Sequence, residues 1–359
     1  MKIGKVSHQY EAWLAGFMPL LPSDLDLKHK RMSEAVFPFM RATYYRWAQT
    51  FPTVCASLAS APQVLAVGDL HVENFGTWRD AEGRLAWGIN DFDEAAVLPY
   101  TLDLVRLAVS ARIAVAECDL GVDGDDACHA ILDGYRDGLS VGGRPFVLAA
   151  EHRWLRDEAH GEAADPTRFW KKMNDLPDCT DAIPEMAQKA LSEAMPEPGM
   201  SFRVAHRIAG LGSLGRPRYV AIANWRGGLI AREAKAVAPP GSAFASGTTA
   251  NVSCIDIATH AVRVPDPFLR LSFGYVVRRL APDCGRIELS ALSSRRDARR
   301  LLEAMGFETA NVHLGTPAGT DAVRADLAAR PSAWLRDAAQ VMAKSVRSDF
   351  DDWKHRADE

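Results

Sequence analysis

The spacing of apolar side chains divides the chain into helical and strand-forming stretches. Apolar residues at helical spacing predict a helical segment over residues 1–60, in which Pro38 marks a kink or break within Lys28–Gln49. Further helices are predicted over 101–117, 125–140, 148–160, 166–175, 183–194 and from about 294 onward.

Strand patterns occupy two separate parts of the chain. A short apolar run at 63–67 and the alternation at 85–89 predict two strands, with a turn at 80–83 between them. After a linker at Pro196–Gly199, alternation resumes around a Gly227-Gly228 hairpin turn. The strands predicted in this later block are 204–208, Tyr219–Asn224, Leu229–Lys235, Phe273–Leu280 and Arg286–Leu289.

This order of elements predicts an α+β protein with two lobes. The predicted segments are an N-terminal helical segment (1–60), a mostly helical catalytic lobe (61–198), a β-rich nucleotide-binding lobe (199–292) and C-terminal helices packing on the catalytic lobe (293–359). A chain of 359 residues with 48% hydrophobic content is long enough to bury such a core.

The composition of the chain argues against several classes of protein. A net charge of -4 without a basic block argues against a nucleic-acid partner, and no apolar run reaches the length of a membrane span. The six cysteines form no C-x-x-C pair, which disfavours a zinc knuckle, and their scatter fits a reducing cytoplasm. The first twenty residues lack the apolar core of a secretory signal, so we expect a cytoplasmic location. The oligomeric state stays open.

Acidic and amide side chains cluster around the first two predicted strands. Asp69 and Asn74 lie in Gly68-Asp-Leu-His-Val-Glu-Asn74, and Asp91 and Asp93 end the next strand. Phosphoryl transfer needs a carboxylate for the acceptor hydroxyl and a few oxygen ligands for magnesium, which this set can supply. Asp and Asn are also common in turns, where they bond backbone amides, so local turn chemistry is the alternative.

These motifs resemble those of known phosphotransferases. Gly68–Asn74 is similar to the G-D-L-H-x-x-N catalytic loop of aminoglycoside phosphotransferases, and 88–95 is similar to their second acidic motif. The resemblance implies that Asp69 is the catalytic base and that Asn74 and Asp91 bind magnesium, with Asp93 as a second metal candidate. Leu102-Asp103-Leu-Val-Arg106 resembles a structural motif of the same enzymes and is expected to support the loop.

The wider string resembles a bacterial family, "domain of unknown function 2252", from about residue 30 to 315. The blocks that carry this resemblance are Gly68–Gly76, Asn90–Ala95, Leu102–Leu107, Gly210–Gly215 and Arg278–Leu280. The resemblance implies a kinase-like fold and supplies no substrate.

A glycine-rich loop follows much later. Gly210, Gly212 and Gly215 form a G-x-G-x-x-G pattern that also contains Ser213, and a strand-like stretch starting with Pro217 follows. This context favours a kinase-type loop between antiparallel strands over a dinucleotide-binding turn. Glycine lets backbone amides approach phosphate oxygens closely, so these residues are predicted to bind ATP.

The next strand offers two cations for the phosphates, Arg232 and Lys235. They are three residues apart, so in a regular strand they face opposite sides and only one can reach the phosphates. The bacterial family's Lys-Glu-Ala block aligns with Arg232-Glu233-Ala234, whereas kinase chemistry favours Lys235. Both stay candidates at this point.

The motif order differs from that of an ordinary kinase, because the catalytic loop precedes the glycine loop. We therefore expect a circularly permuted, protein-kinase-like fold, or one lobe assembled from distant segments. The alternative is that the late loop is an ordinary hairpin and that no ATP lobe exists. The predicted function is a kinase-like phosphotransferase that uses ATP and magnesium on a hydroxyl of an unknown small molecule or protein. Two alternatives remain open: a nucleotidyltransferase that moves AMP, and a non-catalytic nucleotide-binding pseudokinase or scaffold.

Overall fold

The structure is a computed structural model that describes residues 1–118, 121–148, 151–159, 165–179, 183–248, 254–287, 292 and 294–355. Within these ranges the helices are α1 Ile3–Ala15, α2 Pro22–Met32, α3 Val36–Ala42, α4 Tyr44–Val54, α5 Ala56–Ala59, α6 Tyr100–Cys118, α7 Gly124–Val141, α8 Arg153–Ala159, α9 Pro166–Asn174, α10 Glu185–Glu193, α11 Gly241–Ser246, α12 Cys254–His260, α13 Arg295–His313, α14 Pro317–Ala329 and α15 Trp334–His355.

The strands form small antiparallel sheets, so the predicted α+β class is confirmed. The strands are β1 Gln63–Ala66, β2 Phe75–Arg79, β3 Leu85–Ile89, β4 Ala96–Pro99, β5 Phe146–Val147, β6 Arg203–His206, β7 Arg218–Trp225, β8 Gly228–Ala236, β9 Arg270–Ser272 and β10 Tyr275–Leu280. Their orders are β1-β4, β2-β3-β5 and β6-β7-β8-β10-β9. No described helix combines the length and apolar character that a membrane crossing requires.

The helical core is built around α6, whose residues Leu104–Val109 are fully buried. Helix α13 packs along α7, and α15 packs along α6. Gly134 of α7 and Gly306 of α13 face the partner helix, where a Cβ would overlap backbone atoms of Glu303 and Ile131. Small residues at this crossing therefore let the two helices approach closely.

Two predicted features of the first 100 residues need correction. The predicted helix Lys28–Gln49 is interrupted at residues 33–35 and again at Thr43, whereas Pro38 sits in the first turn of α3, where proline is tolerated. The strand at 63–66 does not form a hairpin with 85–89. It pairs with β4 instead, while β3 pairs with the unpredicted strand β2 across the turn at 80–83.

The predicted Gly227-Gly228 hairpin is confirmed, because β7 and β8 pair antiparallel up to Trp225 and Gly228. The five-stranded sheet falls within the segment 199–292 that the sequence marked as β-rich. The expected strand at Arg286–Leu289 is reduced to an isolated bridge between Arg286 and Gly76, and residues 288 and 289 lie outside the described residues.

Candidate functional site

The loop after β1 is fixed by a buried carboxylate. Asp103, in the first turn of α6, accepts hydrogen bonds from the backbone N–H groups of Val67 and Gly68 at 2.7 and 2.8 Å. His313 Nε2 lies 3.1 Å from the same carboxylate. Asp103 is fully buried, so these contacts replace its hydration. The prediction that Asp103 supports the loop is confirmed.

Asp69 follows at the end of this loop and is held by Arg106. The Arg106 Nε donates to Asp69 Oδ1 at 2.7 Å, and its Nη2 contacts the same oxygen. Arg106 is itself buried over the rings of Tyr44 and Trp47, with its guanidinium carbon 5.2 and 4.9 Å from their centroids. The position of the Asp69 carboxylate is therefore set by the helical core.

Burial controls the protonation of Asp69. It raises the pKa of this carboxyl to about 7, against the opposing charge of Arg106 and with help from the negative charge of Glu94. A carboxylate with a pKa near the working pH is suited to general acid–base chemistry. The environment of Asp69 thus agrees with the role that the motif implies.

Asn74 ends a short 3₁₀ turn, Val72–Asn74, that returns the chain toward Asp69. Its Oδ1 accepts the backbone N–H of His71 at 2.6 Å, which orients the amide. Its carbonyl accepts the N–H of Asn90 at 3.0 Å and so ties this turn to the residues leading into Asp91. His71 accepts the N–H of Glu73 at 3.2 Å, which agrees with a loop-orienting role.

Asp91 and Asp93 follow β3 and meet a cation from the distant sheet. Lys235 Nζ of β8 lies 3.4 Å from Asp91 Oδ1 and also forms an ion pair with Asp93. Burial acts to raise the pKa of Asp91, but Lys235 and the neighbouring arginines outweigh it and hold that pKa below its usual range. Asp91 is therefore ionised at neutral pH.

The glycine-rich loop lies over Asp69. Residues 210–215 connect the antiparallel strands β6 and β7, as the sequence predicted. A Cβ on Gly212 would stand 3.0 Å from the Arg41 carbonyl oxygen and 3.4 Å from Asp69 Oδ2, so a larger residue would crowd both. Lys28 of α2 donates to the Gly212 carbonyl at 3.1 Å and holds the loop from the other side.

A buried ion cluster fixes the loop to its sheet. Glu233 of β8 is fully buried and contacts the guanidinium groups of Arg207, Arg218 and Arg278. These positive charges outweigh its burial and hold the pKa of Glu233 well below the usual value. Arg218 also donates to Ser213 Oγ at 2.7 Å, which links the cluster to the glycine loop.

The structure separates the two candidate cations. Lys235 faces Asp91 and Asp93, whereas Arg232 turns to the opposite side of β8. There Arg232 donates to the Ala194 carbonyl at 3.0 Å and stacks on Phe268, 4.8 Å from the ring centroid. Arg232 therefore does not face the acidic residues, whereas Lys235 does.

Most predicted site residues converge on one cleft of about 440 Å³ between the glycine loop and the acidic loops. Its lining residues are Arg41, Val67, Asp69, His71, Asn74, Asp91, Asp93, Glu94, Gly210, Leu211, Gly212, Ser213 and Arg286. Lys235 lies in an adjoining cavity of about 330 Å³ that shares Asp91 and Asp93 with the cleft. Gly215 instead packs against Leu25 of α2, and its carbonyl accepts the Leu21 N–H at 2.9 Å.

The donors in the cleft suit a hard cation better than a soft one. Asn74, Asp91 and Asp93 offer one amide and two carboxylate groups, and magnesium needs only one or two carboxylates besides water and phosphate oxygens. Among the described residues no three His, Cys, Asp or Glu side chains are grouped to hold a metal by themselves. The residues present therefore fit magnesium brought with a phosphate ligand.

Several residues near the cleft lie outside any recognised sequence motif. Lys28, Arg41 and Arg286 contact the cleft region from separate segments, and sequence reasoning did not select them. Arg216 contacts Glu94 Oε1 at 3.0 Å below the glycine loop. Nothing in the local sequence distinguishes these residues from surface charges, because their partners lie far away in the chain.

Comparison with known proteins adds a family likeness. The model of an uncharacterized protein family conserved in bacteria (DUF2252) matches residues 20–152. The match contains Asp69, Asn74, Asp91 and Arg106, and it leaves out the expected later blocks at 210–215 and 278–280. No curated protein and no solved structure matches the chain.

Proposed function

We propose that this protein is a phosphotransferase that uses ATP and magnesium to phosphorylate a hydroxyl group. The observation that carries the proposal is the convergence of Asp69, Asn74 and Asp91 with the glycine loop on one cleft. The cleft holds the ionised Asp91 carboxylate, the Asp69 carboxyl with a pKa of about 7 and the Asn74 amide. Side chains that only stabilise backbone turns would not need to share one cleft.

Each residue has a separate role in this proposal. Asp69 accepts the proton of the acceptor hydroxyl, and Arg106 keeps its carboxylate in position. Lys235 donates to phosphate oxygens when nucleotide enters, while the backbone of 210–213 covers the phosphates. Asn74, Asp91 and Asp93 would hold magnesium, which when bound would supply positive charge to neutralise the phosphates.

We further propose that the fold is kinase-like with a permuted order. A glycine loop between two antiparallel strands, followed by a strand bearing the phosphate-binding Lys, is the arrangement expected of a kinase nucleotide lobe. Here this lobe comes after the acidic motifs in the chain. The ion pair of Lys235 with Asp91 supports the view that the two parts act as one site.

Labelled ATP tests the proposed reaction. The protein is incubated with magnesium, a metabolite mixture and ATP labelled at either the γ or the α phosphate. Label moving only from the γ position supports phosphoryl transfer, and label moving only from the α position contradicts it in favour of nucleotidyl transfer. The absence of any transfer that depends on Asp69 also contradicts the proposal.

A further inference from the structure

Two arginines meet at one carboxylate oxygen on the catalytic-loop side of the cleft. Arg41 Nη1 lies 2.6 Å from Glu73 Oε2, and Arg286 Nη1 lies 3.1 Å from the same oxygen. Both arginines line the cleft that contains Asp69. Arg41 belongs to α3 and Arg286 follows β10, so the fold brings together two distant segments to form this basic pair.

Glu73 contacts both guanidinium groups of the basic pair, and the negative charge of Asp91 also acts on Arg286. One donor of the pair nevertheless stays open. Arg41 Nε is buried and has no hydrogen-bond partner within the described structure. Burial and the like charge of Arg41 both lower the pKa of Arg286, which reflects the cost of holding these cations together. An incoming anion would relieve this repulsion and satisfy the open donor.

The pair is also accessible from the cleft. The Arg286 side chain is 40% exposed, whereas that of Arg41 is 13% exposed and lies deeper. Guanidinium groups present planar arrays of N–H donors that match the oxygens of a carboxylate or phosphate. This geometry favours an oxyanion over a neutral or cationic ligand.

The proposed nucleotide has other cations for its phosphates. Lys235 and Arg278 line the adjoining cavity with Asp91 and Asp93, on the side of the five-stranded sheet. The basic pair lines the cleft of Asp69 and His71, which residues 210–213 also line, and neither arginine lines the cavity of Lys235 and Arg278. Its place beside Asp69 fits the molecule that presents the hydroxyl to this carboxylate.

On these grounds we propose that the acceptor is a small hydroxyl compound carrying an oxyanion, a phosphate or a carboxylate, which binds Arg41 and Arg286. This inference rests on the proposed function, because it assigns the basic pair to that function's second substrate.

Binding of matched compounds tests the inference. The probes are glycerol, glycerol 3-phosphate and glycerate, and glucose, glucose 6-phosphate and gluconate, titrated calorimetrically with and without magnesium and a non-hydrolysable ATP analogue. We expect wild type to bind at least one anionic probe about tenfold or more tightly than its neutral match. The phosphate and carboxylate members of each set distinguish the two kinds of anion.

Substitutions at Arg286 and at Glu73 should change the preference for anionic probes in opposite directions. Arg286→Gln should remove the preference for the anionic probe, whereas Glu73→Gln should strengthen it by freeing both guanidinium groups. Arg226→Gln is the matched control, because Arg226 is an exposed arginine paired with Glu197 in the β7–β8 turn. It should leave the preference unchanged.

Two results would overturn the inference. One is that no anionic probe binds wild type more tightly than its neutral match. The other is that Arg286→Gln weakens binding of the ATP analogue and leaves probe binding intact, since the pair would then serve the nucleotide. A wrong proposed function would give a different result, because wild type would then fail to bind the ATP analogue. The titrations without nucleotide would still measure the preference for anionic probes.

Discussion

Lys235 Nζ reaches Asp91 Oδ1 at 3.4 Å across a separation of 144 residues. The contact joins the five-stranded sheet to the acidic loops, and it places a cation beside the residues expected to hold magnesium. Without nucleotide, Lys235 offsets the repulsion between Asp91 and Asp93. A bound metal would offset this repulsion instead, so that Lys235 could contact a phosphate oxygen of the triphosphate.

Replacing Lys235 should weaken nucleotide binding far more than replacing Arg232. Lys235→Met removes a charge-assisted contact worth about 1.5–3 kcal/mol, which corresponds to roughly 10- to 100-fold in dissociation constant. Arg232→Met is the matched control on the other side of the same strand. Titration with a fluorescent ATP analogue measures both, and equal losses in the two variants would argue against the assignment of Lys235.

Removing the carboxylate of Asp69 should abolish most of the turnover and retain the fold. Asp69→Asn keeps the shape of the side chain beside Arg106 and should lower the rate of γ-phosphate transfer roughly 10²–10⁴-fold. Asp321→Asn is the control, because the Asp321 side chain is 96% exposed. If Asp69→Asn with wild-type circular dichroism also turned over at the wild-type rate, Asp69 would not be the base.

The pKa of Asp69 predicts how the rate depends on pH. Burial raises this pKa to about 7, and only the deprotonated carboxylate can accept the hydroxyl proton. The rate at low acceptor concentration should therefore rise as the pH increases through about 7 and then level off. A rate that stays flat from pH 5.5 to 8.5, measured at saturating magnesium and ATP, would contradict this protonation scheme.

The same pKa makes a prediction for stability. A carboxyl whose pKa is raised in the folded state from 3.8 to about 7 binds its proton more tightly when folded. The contribution of Asp69 to the free energy of unfolding should therefore decrease as the pH rises from about 4 to 7 and stay constant above. Urea unfolding of wild type and Asp69→Asn across this window measures both free energies of unfolding. The value for Asp69→Asn minus the value for wild type should increase with pH. A constant difference would contradict the raised pKa.

Asp103 should matter for stability rather than for chemistry. In Asp103→Asn the amide NH₂ cannot accept one of the two backbone N–H groups that the carboxylate now holds. We expect the free energy of unfolding to fall by about 1–3 kcal/mol, measured by urea unfolding with Asp321→Asn as control. A loss below about 0.5 kcal/mol would show that Asp103 is not the anchor of the catalytic loop.

The part of the site that the sequence revealed is local. Asp69, Asn74 and Asp91 stand in short loops beside strands, so their motif spacing already placed them near each other. The choice between Arg232 and Lys235 needed the structure. Residues Ala231–Ala236 of β8 are buried on both faces, so the strand has no alternation of apolar and polar positions to show which face meets the site.

Arg41, Arg286 and Lys28 could not be predicted for a different reason. Their roles depend on contacts with Glu73 and Gly212 that only tertiary folding creates. The pairing of β1 with β4 was missed because a four-residue strand carries too little periodicity to define its partner.

We propose that one magnesium-dependent nucleotide site joins the acidic loops and the glycine loop. The most direct measurement is a crystal structure grown with magnesium and a non-hydrolysable ATP analogue. We expect a metal bonded to Asp91, with the phosphates between Lys235 and residues 210–213. A nucleotide bound elsewhere, or an empty cleft at saturating nucleotide, would contradict it.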